Sequence, residues 1–199
     1  MDSDLADAVD DLKSIFEKRQ IPANFGQHDA KAVAALKAKM DLPERYAAFL
    51  QAANPLDVET ATPPERVRFV PADDLEQEQI GYGVGDTDNP AMAGWREGWV
   101  VIAHSTLLGD PYFIDTTRVD AEDDCPVMTA MSGTERIEPV LCASSFTRFL
   151  QILAAGMEVA TGFAEHSADP DDEHIFKEAL APKVRVIDSA ALREGHWTS

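Results

Sequence analysis

The chain of 199 residues carries 36 acidic and 17 basic side chains, a formal net charge of -19, and 45% of its residues are hydrophobic. That length and apolar content suffice for one domain with its own core, which we expect to span residues 1–199. So much negative charge repels phosphate groups and anionic lipid, and therefore disfavours nucleic acid and membrane surfaces and favours a basic partner. Acidity also keeps a protein soluble whatever its function, so charge alone leaves both explanations open.

The N-terminus and the two cysteines indicate a cytoplasmic protein. Met1 is followed by Asp2 and Asp4, where a secretory signal would be basic, and no apolar segment comes after them. No uninterrupted apolar run approaches the length of a membrane span. Cys125 and Cys142 are too few for a disulfide framework, so we expect two buried, reduced thiols, with one bridge between them as the alternative.

Three helices are predicted in the first quarter of the chain. Apolar residues recur at helical spacing over residues 5–16, and Ser3 is the expected N-cap. A second helix follows Asp29, a typical N-cap residue. Pro43 suits the first turn of a third helix, because its missing N–H would have no partner there. We expect Asn54 and the proline after it to end this helix.

The middle of the chain is rich in β-prone residues and turn signals. Strands are predicted around Val67 and Phe69 and over residues 99–103, 112–117, 126–131 and 137–141. A Gly-Asp-Pro turn at residues 109–111 joins the second strand to the third, which predicts a β-hairpin. On the return strand Tyr112 and Ile114 should face one way and Phe113 the other, because side chains alternate along a strand.

A long helix is predicted after the strands. Ser144 or Ser145 is its expected N-cap, and an apolar stripe runs from Phe146 to Met157. Helices come first, strands lie in the middle and helices return last. This order predicts an α+β fold in which a central, largely antiparallel sheet is flanked by helices.

The segment from about residue 162 to 199 is predicted to be a helical extension. Asp169 is the expected cap of a helix that has Pro170 in its first turn. We expect Pro182 to end this helix, because a proline removes a hydrogen bond from a helix interior. Val184 and Val186 then suggest a last short strand.

No motif identifies a catalytic, cofactor-binding or metal site, and none is predicted. The densest group of metal-ligating residue types, at residues 166–174, fits no zinc spacing, and its acids at 171–173 suit a helix N-terminus. The alternative is an enzyme with an unrecognised hydrolytic site, for which His104, Asp110 and Asp115 are the candidate residues.

Three segments share an order and spacing that carry a family resemblance. The first reads Leu-Pro-x-x-Tyr-x-x-Phe-Leu, the second is an apolar strand with a Gly-Asp turn and a strand ending in Asp, and the third reads Ser-Phe-x-x-Phe-Leu. The residues are Leu42, Pro43, Tyr46, Phe49, Leu50, Gly109, Asp110, Tyr112, Phe113, Asp115, Ser145 and Phe146. Together they resemble the SMI1/KNR4 family, also called the SUKH superfamily, over about residues 42–153. Asn54-Pro55 departs from the Asn-Gly-Gly that usually closes the first helix in that family.

The resemblance implies an α+β fold, no catalysis and protein binding. Bacterial members of the family are mostly regarded as immunity proteins that neutralise toxins, often nucleases, so we predict a basic toxin as partner. Carboxylates on two expected loops, with an exposed tyrosine, are the predicted contacts: Glu76, Glu78, Tyr82, Asp86, Asp88, Asp120, Glu122, Asp123 and Asp124. The fungal members suggest the alternative of a regulatory or scaffolding protein with another partner.

Overall fold

A computed structural model describes residues 1–131, 137–163 and 170–197 of the chain. Its helices are α1 (Ser3–Arg19), α2 (Ala30–Met40), α3 (Glu44–Ala53), α4 (Phe146–Val159), α5 (Pro170–Ile187) and α6 (Ser189–Glu194). Its strands are β1 (Asn24–Gly26), β2 (Asn54–Asp57), β3 (Val67–Phe69), β4 (Trp99–Ser105), β5 (Pro111–Asp115), β6 (Val127–Thr129) and β7 (Val140–Ala143).

Strands β3 to β7 form one antiparallel sheet and follow each other in the sheet as they do in the chain. The central hairpin of β4 and β5 is confirmed, with Val101 opposite Phe113. Gly109 in its turn has φ +78°, a conformation that glycine adopts without strain against a Cβ atom. Strands β1 and β2 form a separate antiparallel pair that the sequence analysis does not predict. The fold is therefore α+β with an antiparallel sheet flanked by helices, as predicted.

The two faces of the sheet bury different side chains. Tyr112 and Ile114 belong to the main core, which also contains the apolar sides of α1, α3, α4 and α5. Phe113 belongs to a second cluster on the opposite face, together with Trp99 and Val101. This confirms the predicted alternation along β5, and it leaves the second face to be covered by a loop.

Aromatic rings join α3 to α4 inside the main core. The ring of Phe146 lies 4.9 Å from that of Tyr46 and 5.0 Å from that of Phe49, both in edge-to-face geometry. Such pairs contribute about 0.5–1.5 kcal/mol beyond the burial of their area. Leu42 and Leu50 are buried in the same core. The helical residues that carry the family resemblance are thus mainly packing residues.

The helix caps follow the sequence signals with one correction. Asp29 caps α2, and Ser145 caps α4. The cap of α1 is Asp2 and not Ser3 as predicted, because the Asp2 carboxylate accepts the N–H of Leu5 at 3.1 Å. A carboxylate at this position both satisfies a free N–H and complements the positive end of the helix dipole.

Helix α5 contradicts two predictions. It continues through Pro182, so this proline does not end it, and Val184 and Val186 are helical residues and not a strand. Phe176, Leu180 and Val184 recur every four residues and are all buried in the main core. Burial of this stripe outweighs the roughly 3 kcal/mol that a proline costs in a helix interior.

The chain after α5 returns to the edge of the sheet. Trp197 is buried, and its indole N–H donates to the carbonyl of Cys142 on β7 at 2.7 Å. Asp188 caps α6 and also accepts the N–H of Ser144 at 2.6 Å. The extension therefore packs along β7, and one apolar core runs from Leu5 to Trp197.

Candidate partner-binding surface

The first predicted contact loop, residues 76–88, lies over the sheet face that the helices leave uncovered. Gln79 anchors the loop, because its side-chain amide donates to the carbonyl of Val101 at 3.0 Å and accepts the N–H of Val101 at 2.8 Å. Strand β3 pairs with β4 only between Ala103 and Ser105. The glutamine side chain thus takes the place of a strand beside Val101 and fixes the base of the loop.

Tyr82 is half-buried, and the prediction of an exposed side chain is wrong. Its ring lies 5.0 Å from that of Trp95, which in turn lies 4.8 Å from the ring of Phe113. Burial raises the pKa of the Tyr82 phenol, and the nearby Glu78 carboxylate raises it further. The tyrosine therefore belongs to the cover of the second cluster more than to an open contact surface.

Two carboxylates of this loop have side-chain partners. Glu76 pairs with Lys39 of α2. Glu78 lies 2.9 Å from the Nε2 atom of His104 on β4. Exposed pairs of this kind contribute only about 0–1 kcal/mol, so a cation of a partner can compete for either carboxylate at low cost.

The tip of the same loop carries its accessible negative charge. Asp86 and Asp88 are both exposed. The carboxylate of Asp86 accepts the N–H of Asp88 at 2.9 Å and that of Asn89 at 2.7 Å, which holds the tip as a turn. These two hydrogen bonds lower the pKa of Asp86, so it stays ionised at neutral pH.

Arg45 of α3 organises the second predicted contact loop, residues 120–124. Its guanidinium lies 2.9 Å from Asp2, 2.9 Å from Glu122 and 3.6 Å from Asp124. Burial lowers the pKa of Arg45, but the three carboxylates together raise it above its ordinary value. The Arg45 side chain is only 11% exposed, so one largely buried cation joins the starts of α1 and α3 to this loop.

Asp124 is buried and is not a contact residue, contrary to the prediction. Its side chain is 0% exposed. One carboxylate oxygen accepts the N–H groups of Cys125 and Phe146, each at 2.8 Å. The other accepts the N–H of Thr147 at 3.1 Å and its hydroxyl at 2.7 Å. Asp124 therefore fastens the loop to the first turn of α4.

Four exposed carboxylates contact Arg45 or lie on the loop that it holds, and we call them the Arg45 patch: Asp2, Asp120, Glu122 and Asp123. The loop holds a fixed shape, because Asp120 accepts the N–H groups of Glu122 and Asp124 at 2.8 and 3.1 Å. Sequence reasoning finds the three loop acids but misses Asp2 and Arg45. They are distant in the chain, and no local pattern links them to the loop.

Helix α2 lies between the two loops. Lys39 contacts the first loop through its ion pair with Glu76. Lys37 pairs with Glu44, which raises the pKa of the lysine, and Asp123 of the second loop adds to that effect. Glu76 of the first loop and Asp123 of the second thus both lie near the C-terminal half of α2.

The residues of the hydrolytic alternative do not converge. His104 pairs with Pro111, next to Asp110, whereas Asp115 lies at the far end of the same strand pair. Five residues of extended strand span about 17 Å. Asp115 is buried, and its carboxylate accepts the N–H and the hydroxyl of Thr117 at 3.1 and 2.6 Å. Asp115 therefore stabilises the turn that follows β5.

Both cysteines are free and buried, as predicted. Burial raises the pKa of the Cys125 thiol, and four neighbouring aspartates, Asp124 first among them, raise it further. Burial also raises the pKa of Cys142, with Glu65 adding to the effect. Neither sulfur is a thiolate near neutral pH, so neither has the character of a nucleophile.

Only part of the group of metal-ligating residue types at residues 166–174 lies among the residues that the structure describes. The acids at 171–173 lie in the first turn of α5, as expected for a helix N-terminus. His174 lies 3.5 Å from Glu178 on the same helix. His166 and Asp169 lie outside the described residues. Within residues 1–131, 137–163 and 170–197, no three His, Cys, Asp or Glu side chains are grouped as ligands of one ion.

Comparison with known proteins identifies one family. The family model described as "SMI1 / KNR4 family (SUKH-1)" matches residues 29–152, which is more than half of the 199-residue chain. The matched segment contains the whole five-stranded sheet and the first half of α4, and it leaves out α1, α5 and α6. No curated protein and no solved structure matches the chain. Every helix in the described part of the chain is too short or too polar to cross a membrane.

Proposed function

This chain belongs to the SMI1/KNR4 family (SUKH-1), and from that membership we propose that it is a non-catalytic, cytoplasmic protein-binding module that neutralises a basic toxin. A nuclease, whose own surface must attract phosphate groups, is the favoured class of partner. We propose that the chain acts as one domain and needs no cofactor. The Arg45 patch is the observation that carries this proposal.

The charges at the Arg45 patch do not balance. Asp2, Glu122 and Asp124 contact one guanidinium, and Asp120 and Asp123 lie in the same loop. Three carboxylates therefore meet one arginine, two more lie on the same loop, and the nearby Lys37 is already paired with Glu44. The excess negative charge attracts a cationic partner over long range and raises its association rate at low ionic strength.

The patch is also rigid before any partner arrives. The buried Asp124 fastens the loop to α4, and Asp120 closes the loop on itself. Ordering a mobile side chain at an interface costs about 0.5–1.5 kcal/mol, and a preformed loop avoids much of that cost. Asp86 and Asp88 at the tip of the other acidic loop add exposed negative charge to the molecule.

Capture from a lysate of the native host tests the proposal. The tagged chain should retain one basic protein at low salt and lose it as salt rises. The triple variant Asp120→Asn, Glu122→Gln and Asp123→Asn should lose this protein at all salt concentrations. A matched triple variant, Glu97→Gln, Glu178→Gln and Glu194→Gln, removes the same charge from exposed sites elsewhere and should retain it.

The captured protein must then be toxic on its own and harmless in the presence of the chain. Equal capture by the two triple variants would contradict the role of the Arg45 patch. A salt-insensitive complex with non-toxic cellular proteins would favour the regulatory or scaffolding alternative.

A further inference from the structure

Helix α5 carries a second apolar stripe on the side that faces away from the core. Phe176, Leu180 and Val184 form the buried stripe. Four exposed residues at intervals of four, three and four form the second, which we call the outer stripe: Ile175, Ala179, Pro182 and Val186. At about 100° per residue the outer stripe is about 60° wide, and its centre lies about 130° from that of the buried stripe. The monomer uses only the buried stripe for its own core.

The outer stripe leaves much apolar surface in contact with water. Val186 is 87% exposed, more than any other large apolar side chain in the part of the chain that the structure describes, and Ile175 is 53% exposed. Single exposed apolar residues are ordinary, but a contiguous row along about 17 Å of one helix marks an interaction surface. The small Ala179 near the middle of the row lets a second helix approach closely.

The charges beside the outer stripe make α5 complementary to itself. Glu178 and Arg185 are exposed and lie two turns apart on the same edge of the stripe. Where two copies of α5 pack antiparallel about a two-fold axis near residues 180–181, Glu178 of each copy meets Arg185 of the other. In a parallel pair Glu178 would meet its own counterpart, and like charges in such positions are destabilising.

The existing contacts of these charges leave the edge accessible. Glu178 lies 3.5 Å from His174, and both side chains are more than 70% exposed, so this contact contributes little and can be exchanged for another. Lys183 lies on the other edge of the outer stripe and pairs with Glu158 of α4 at 2.7 Å. The edge that carries Glu178 and Arg185 therefore determines the direction of pairing.

We propose that a second copy of this chain binds along the outer stripe, with the two α5 helices antiparallel and Glu178 of each copy paired with Arg185 of the other. Ile175 of one copy then lies beside Val186 of the other. One helix pair buries less surface than the roughly 1,600 Å² of a standard interface, so we expect a reversible dimer with a dissociation constant on the order of 10–100 μM. No residue of the outer stripe belongs to the Arg45 patch, so the dimer goes beyond the proposed toxin binding.

Salt should strengthen this dimer. Each copy has a net charge of -19, and the two copies repel each other over long range. The screening length falls from about 30 Å at 0.01 M salt to about 8 Å at 0.15 M, which weakens that repulsion more than contacts of a few ångströms across the interface. Dimerisation should therefore increase between these two conditions. Toxin capture is expected to decrease with salt, so the two proposals are tested separately.

Sedimentation velocity of the full chain from about 5 to 500 μM at 0.15 M salt tests the inference. Wild type should shift from monomer to dimer across this range. Glu178→Lys and Arg185→Glu should each weaken the dimer at least about tenfold, because like charges then meet twice. The combined variant restores both pairs with exchanged charges and should return to within about threefold of wild type. Glu178→Lys also reduces the net negative charge, so overall repulsion alone would predict the opposite effect.

Val186→Ser tests the apolar contact. It should weaken the dimer at least about tenfold, because it removes two buried valines from the interface. Val84→Ser is the matched control, since Val84 is 51% exposed on the first acidic loop, and it should leave the dissociation constant unchanged. All these positions are exposed, so the variants should keep the urea midpoint of wild type.

Four results would overturn the inference. They are a monomer at every concentration, a dimer that neither single charge variant weakens, a combined variant that does not recover, and an undiminished dimer in Val186→Ser. A monomer that uses the outer stripe to bind a different protein belongs to the first of these results.

Discussion

Replacement of Asp124 by asparagine tests the account of how the acidic loop is held. Either orientation of the new amide keeps one acceptor oxygen and turns an NH₂ group toward donors that the wild-type carboxylate satisfies. In one orientation the N–H and hydroxyl of Thr147 lose their acceptor, and in the other the N–H groups of Phe146 and Cys125 lose theirs. Two hydrogen bonds are therefore lost in both cases, next to the cationic Arg45.

The magnitude follows from these two bonds. Hydrogen bonds to an ionised acceptor contribute about 1.5–3 kcal/mol each, so we expect Asp124→Asn to lower the free energy of unfolding by about 3–6 kcal/mol. Domains of this kind have about 5–15 kcal/mol in total, so a loss of this size is large enough to measure. Urea unfolding followed by tryptophan fluorescence gives the value directly.

The adjacent acid provides the matched control for Asp124→Asn. Asp123 is exposed and has φ +57°, a conformation that asparagine tolerates well. Asp123→Asn should therefore change the free energy of unfolding by no more than about 0.5 kcal/mol. If Asp124→Asn cost less than about 1 kcal/mol at an unchanged urea slope, the hydrogen-bonded role of Asp124 would be refuted.

Three further predictions concern the C-terminal extension and the thiols. Burial lowers the pKa of His196 to about 4 in the folded protein, whereas the same imidazole takes up its proton near pH 6.5 in the unfolded chain. The free energy of unfolding should therefore fall by up to about 3 kcal/mol as the pH falls from 6.5 to 4. His196→Gln should remove that part of the pH dependence of the free energy of unfolding, measured by urea titration at several pH values. Parallel plots of this free energy against pH for variant and wild type would contradict the prediction. Pro182→Ala should raise the free energy of unfolding by about 2 kcal/mol, because it restores an interior helix hydrogen bond while loosening the unfolded chain; a lower urea midpoint would show that the proline fits its helix without cost. Cys125 and Cys142 should react with a thiol reagent only at the rate of unfolding, and rapid labelling of the native protein would show that either sulfur is accessible.

Much of the fold is predictable because its signals are local. The caps Asp29 and Ser145, the hairpin around Gly109 and the periodicity of α1 and α4 each depend on residues within a few positions of one another. The continuation of α5 through Pro182 is a tertiary effect. A proline signals a helix end, and only the buried stripe along α5 overrides that signal.

The candidate site is predictable only in outline. A run of acids from Asp120 to Asp124 indicates a charged loop, but nothing in the run distinguishes the inward-facing Asp124 from the exposed Asp123. That difference arises because four hydrogen-bond donors of residues 125, 146 and 147 converge on one carboxylate. The half-burial of Tyr82 likewise depends on a contact with Trp95 that no local pattern indicates. Partners that are distant in the chain leave no signal in a single sequence.

The backbone groups beside the sheet have a consequence for self-association. An open strand edge is a template on which a second chain can add a strand, and in that way sheets begin to aggregate. In this protein the side-chain amide of Gln79 hydrogen-bonds the backbone N–H and carbonyl of Val101 beyond the end of β3. At β7, the indole of Trp197 donates to the carbonyl of Cys142, and Asp188 accepts the N–H of Ser144. These side chains thus satisfy backbone groups with which a strand of a second chain could otherwise pair. A chain that loses Gln79 or Trp197 should therefore aggregate at concentrations where the intact protein remains dispersed.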